Sequence, residues 1–117
     1  MQIFTHQAIA IDQGDDVLFS DFADDGEMWT GKGERERRKK IVFGAPFTAA
    51  PAVHLSLSLW DIDSARNTRA DVTAEKITPQ GFDAVFRTWG DTRVARVRVR
   101  WMAIGAAFHE DDWQDFY

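Results

Sequence analysis

The sequence has no cysteine, which excludes a disulfide, a thiolate nucleophile and a Cys-type zinc site, so the core must hold without covalent staples. It has no excess of basic residues. Fourteen Lys and Arg stand against nineteen Asp and Glu, a net charge of −5, which argues against general nucleic-acid binding. No apolar run approaches the roughly 18 residues a membrane-crossing helix needs, so no membrane insertion is expected. The first residues, Met1 to Asp12, lack the basic start and long apolar core of a secretory signal. A soluble protein is expected, displayed outside the cell only by another route.

Chemistry-bearing motifs are equally scarce. His6, His54 and His109 are far apart and show no ligand spacing, so no metal or other cofactor is expected. An outward His54 would meet its copies only on the axis of an oligomer. Gly31-Lys32-Gly33 lacks the spacing of a phosphate-binding loop, and no serine sits in a nucleophile elbow. The acid pairs Asp15-Asp16 and Asp24-Asp25 fall in a polar stretch and carry no catalytic signal. The sequence therefore reads as that of a non-enzyme.

What is present is a foldable single domain: 117 residues, 44% apolar and 28% charged. Period-two alternation runs through it. Val53, Leu55, Leu57 and Leu59 alternate with His54, Ser56 and Ser58, and Ala95, Val97, Val99, Trp101 and Ala103 alternate with Arg96, Arg98 and Arg100. Gly81 to Trp89 forms a third alternating run between two turn sequences. Ile3 to Ile11, Arg38 to Phe43 and Ala70 to Ile77 are weaker strands, which makes six in all and predicts an all-β, antiparallel β-sandwich. Asp12 to Glu36 reads as a long loop, with at most a short strand in Val17 to Phe22. Residues 1–105 form the domain, and 106–117 an acidic, aromatic tail expected to fold back on its own subunit or cross to a neighbour, burying Trp113 and partly neutralising the arginine row. The charge run Glu34 to Lys40 reads as a solvated face.

The strand ends carry Trp60-Asp61-Ile62-Asp63, Arg66-Asn67-Thr68-Arg69 and Thr88-Trp89-Gly90-Asp91-Thr92-Arg93. A ring for the apolar face of a sugar, with planar donors and acceptors for its hydroxyls, is the chemistry of glycan recognition.

Phe43-x-x-Pro46-Phe47-x-x-x-Pro51-x-Val53, Asp61, Arg69, Ile77 to Phe82, Thr88 to Thr92 and Trp101 to Gly105 together resemble the H-type lectin domain. Ile11 to Asp16 resembles the start of the snail members. The resemblance implies a six-stranded β-sandwich assembled as a homotrimer, with sugar sites in clefts between subunits, commonly for N-acetylgalactosamine or galactose. It implies that Arg69 bonds sugar hydroxyls and that Trp89 stacks near the ring. A polar family contact falls on Gly90 here, leaving Asp91 or a neighbour to substitute. The family's tyrosine wall falls on Ala95, its acidic contact on Lys32 or Gly33, and its cysteine pair on Gln13 and Phe86. Exchange of the acid for Lys32 shifts the expected partner toward an acidic glycan or polysaccharide. The rival reading is a structural or adhesion component of a larger particle, such as a phage-like tail or spike.

Overall fold

The computed structural model describes residues 1–109; the predicted contacts of Trp113 lie outside them. Six strands and one helical turn follow in the order β1 (Ala8–Ser20), α1 (Glu27–Thr30), β2 (Arg35–Val42), β3 (Ala52–Ile62), β4 (Asp71–Thr78), β5 (Gly81–Thr88) and β6 (Val94–Ala107). They form two three-stranded antiparallel sheets, β1-β6-β3 and β2-β5-β4. The β-sandwich is as the alternation predicts.

The core lies between the two inner faces. Val97, Val99, Trp101 and Ala103 of β6 meet Phe82, Ala84 and Phe86 of β5, all buried. Phe43 links the layers, with its ring centroid 5.1 Å from Phe47 and 5.8 Å from Trp101. Tilted and edge-to-face packing of this kind adds about 0.5–1.5 kcal/mol per pair beyond burial. Phe86, one of the positions matched to the family's cysteines, packs against Phe19 at 5.5 Å. The other, Gln13, is exposed opposite Met102 on the outer face, so the two positions do not face each other across the core.

The first strand departs from expectation. It begins at Ala8, not Ile3, and continues from Asp12 to Ser20, a stretch whose polar sequence reads as loop. The reason is an inverted pattern: Ala10, Asp12, Gly14 and Asp16 take the half-buried positions, and Ile9, Ile11 and Val17 point outward. Each inward carboxylate has a donor. Asp12 accepts the Gly44 N–H at 2.9 Å and Asp16 accepts the Trp101 indole N–H at 3.2 Å. Gly14 leaves room for that indole, because a Cβ there would lie 2.6 Å from Trp101 Nε1.

In β3 a register shift between Leu57 and Leu59 sets Leu59 opposite Arg98. Leu59 thereby leaves the core face, contrary to strict alternation. The arginine row of β6 is outward as predicted. Its acids come from the adjacent strands, with Arg96 3.1 Å from Asp61 and Arg98 3.4 Å from Asp15. Among the described residues Arg100 alone of these three has no ion pair.

The charge run is not a solvated face throughout. Ile41 faces the core, so period two turns Lys39, Arg37 and Arg35 toward the same side. Arg37 reaches Asp21 and Glu27, both at 2.7 Å, and Arg35 is buried. On the opposite face, Arg38, Arg87, Glu36 and Glu75 link in pairs of 2.8–3.7 Å. Val85 is buried on that same outward face, so the ionic network acts as its roof.

Candidate binding site

The candidate residues lie at one end of the sandwich, where the segment after α1 meets the β5–β6 turn. The turn is built around Gly90. Its φ of +71° is the left-handed conformation that favours glycine, and a Cβ would stand 3.0 Å from Arg69 Nη1. A side chain in place of Gly90 would therefore push Arg69 aside. Gly33, at φ +75°, donates its N–H to the Gly90 carbonyl at 2.9 Å. This bond ties the Lys32-Gly33 segment to the turn.

Arg69 precedes β4 and is held from two sides. Its carbonyl accepts the Thr88 hydroxyl at 2.5 Å, and its guanidinium donates to Asp91 at 2.7 Å. Thr92 makes a parallel staple, donating to the Asn67 carbonyl at 2.5 Å. The Arg69 guanidinium, with further donation from Asn67, holds the Asp91 carboxyl below the usual aspartate value of 3.8. Asp91 is therefore a carboxylate at neutral pH and engages the arginine matched to the sugar-binding one.

Two cavities flank the turn. The smaller, about 250 Å³, is lined by Thr30, Gly31, Lys32, Arg66, Asp91 and Arg93. Three of these are cations. Arg66 and Arg93 lean toward Asp63 at 3.6 and 3.9 Å, and Arg93 also lies over the Trp29 ring at 4.3 Å. Lys32 has no ion pair among the described residues and is exposed. The larger cavity, about 750 Å³, has Trp89 as its wall, with Glu34, Glu36, Asp71 and Arg87 around it. Trp89 is 44% exposed.

Lys32, Gly33, Arg69, Gly90 and Asp91 thus come together in one cluster, and Trp89 stands on its other flank. Reading the sequence alone misses Arg35 behind this cluster. Its signal is the parity it shares with Ile41, which places it inward. Ala95, the position matched to the tyrosine wall, is buried at the start of β6 and offers no ring.

No cluster of His, Cys, Asp and Glu among the described residues is arranged to hold a metal ion, and no helix there is long and apolar enough to cross a membrane.

Comparison with known proteins agrees with this architecture. The chain resembles a Fuscovulum blasticum protein named ATP synthase subunits region ORF 7, with 55% identity over 107 residues, covering 92% of this chain and 93% of that one. It is 37% identical over 75 residues to a discoidin-1 polypeptide of Dictyostelium discoideum, covering 63% of this chain but 30% of the discoidin. The fold superposes on recombinant discoidin II of the same organism with a TM-score of 0.75 at 20% identity, over 92% of this chain and 41% of that one. Both discoidins thus extend well beyond the matched part. Residues 38–104 match the H-type lectin domain, and the chain belongs to the H-type lectin domain family.

Proposed function

We propose that this protein is a non-catalytic lectin that binds glycans at the β5–β6 turn, in clefts completed by a neighbouring copy in a homotrimer. The observation that carries the reading is the convergence of Arg69, Asp91, Gly90 and Gly33 on one turn, with the half-exposed Trp89 ring beside it. Fixed planar donors and acceptors next to an aromatic face suit a pyranose. The trimer reading is supported by the outer face of β1-β6-β3, where Ile9, Ile11 and Met102 form an exposed apolar group.

The glycan we propose is acidic. Lys32, Arg66 and Arg93 outnumber Asp91 around the smaller cavity, and a cationic wall favours a carboxylated or sulfated saccharide over a neutral one.

A glycan array spanning N-acetylgalactosamine, galactose, sialylated, uronic-acid and sulfated structures tests both levels. Retention on acidic structures that weakens with added salt is the expected result. Salt-independent binding to neutral N-acetylgalactosamine would keep the lectin reading and remove the acidic one. Binding to nothing on the array would leave the rival, a scaffold or adhesion component.

A further inference from the structure

We infer that Arg35 is the positioning residue of this site: its buried guanidinium joins the three segments that frame the proposed cleft. The inference rests on the lectin reading for its functional part and on geometry for the rest.

Arg35 is only 7% exposed and makes no ion pair among the described residues. Its donors go to main-chain carbonyls instead. Nε donates to Gly33 at 3.0 Å, Nη1 to Glu27 and Met28 at 3.3 and 3.1 Å, and Nη2 to Gly90 and Thr92 at 3.3 and 2.7 Å. A guanidinium has five N–H groups in a rigid fork. All three of its nitrogens are used here. One group thus holds α1, the segment carrying Lys32 and Gly33, and the turn carrying Gly90 and Asp91. The segment runs into β2 and the turn leaves β5, strands already paired with Arg35 opposite Thr88, and the Gly33–Gly90 bond carries that main-chain pairing one step further toward the turn. Burial lowers the Arg35 pKa, and the nearby Glu27 charge opposes that shift.

The residue has a consequence for recognition. The carbonyl dipoles satisfy the cation without a carboxylate, so no side-chain acid is added where an anionic sugar would approach. The Gly90 carbonyl is shared between the Gly33 N–H and Arg35 Nη2. Any displacement of Arg35 therefore moves the turn against which Arg69 rests. Lysine keeps the charge but presents a single nitrogen. It cannot span carbonyls from α1, Gly33 and Thr92 together.

The test is Arg35→Lys, read by amide hydrogen exchange and by titration with sialyllactose and N-acetylgalactosamine. Exchange at the Gly33 N–H should rise by about tenfold or more, with Phe86 and Val97 in the core strands unchanged. Affinity for whichever sugar wild type binds should fall by about tenfold, as expected when a set of charged hydrogen bonds is lost. Unchanged exchange at Gly33 overturns the inference even if wild type binds neither sugar. Faster exchange with unchanged affinity also overturns it, by making Arg35 purely structural. Should Arg35→Lys fail to fold, wild type decides. A slowly exchanging Arg35 Nε–H resonance that shifts on sugar binding supports the role, and one that ignores a bound sugar refutes it.

Discussion

At the residue scale, the site turns on the competition for Arg69. Asp91 occupies one arm of its guanidinium at 2.7 Å, so an acidic ligand must share or replace a carboxylate already present. Asp91→Asn should tighten binding of sialylated or uronic ligands several-fold by removing the like charge. It should leave neutral sugars little affected, and isothermal titration with paired acidic and neutral ligands checks this. Arg69→Ala and Trp89→Ala should each cut binding by about tenfold or more, the scale of losing a charged hydrogen bond or an aromatic contact. Their melting temperatures should stay within a few degrees, since both side chains sit at the surface end of the sandwich. Full binding by both variants would dispose of the proposed cleft. Arg69 and Trp89 are legible in the sequence because a short β-hairpin must return β5 to the end where β4 begins. Arg35 is hidden by its basic neighbours, which make a buried cation look like one more solvated charge.

At the element scale, β6 and β5 are legible because branched and aromatic residues fall on one face and arginines or polar groups on the other. The first strand is not. Its inward positions are filled by Asp12, Gly14 and Asp16, whose partial burial depends on Gly44 and Trp101, distant in sequence. Local hydrophobicity cannot reveal that arrangement. The arrangement does predict that Gly14→Ala forces the Trp101 indole to move, at a cost of about 1–3 kcal/mol for overpacking, measurable as a lower urea midpoint with altered tryptophan emission. The ionic roof over Val85 yields a second prediction. Hydrogen bonds from Arg87 and then Arg38 hold the Glu75 carboxyl below its usual 4.5. A depressed folded-state value contributes stability fully above the unfolded value, and that stability is lost as pH falls through the folded one. Glu75→Gln should therefore be less stable than wild type near neutrality, with the difference closing as pH falls below the usual glutamate value of 4.5 in chemical denaturation at stepped pH. A gap that persists into acid would mean that the carboxylate charge is not what holds the roof.

At the scale of the whole molecule, the two sheets are covered differently on their outer faces. Over β2-β5-β4 the roof of arginines and carboxylates closes on itself above Val85. Over β1-β6-β3 Asp15 and Asp61 answer Arg98 and Arg96, but Ile11, 63% exposed, sits opposite Ile104, and Met102 sits opposite both Gln13 and His54. Charge pairing within the sheet answers Arg96 and Arg98 and leaves Arg100 without an ion pair among the described residues. The apolar group remains, and it is the surface that the proposed trimer would bury. Ile11→Lys combined with Met102→Lys places like charges there and should convert a trimer into a folded monomer, seen by light scattering with an unchanged far-UV spectrum. A wild type that is already monomeric at micromolar concentration would reject the assembly. If the trimer exists, the monomeric variant also locates the cleft. Loss of binding only to multivalent glycan surfaces, with single-sugar affinity retained, would mean that each protomer holds a complete site and that assembly supplies avidity alone. Loss of single-sugar affinity as well is the expected result for clefts completed by a neighbour, because the monomer lacks the wall that Ala95 does not provide.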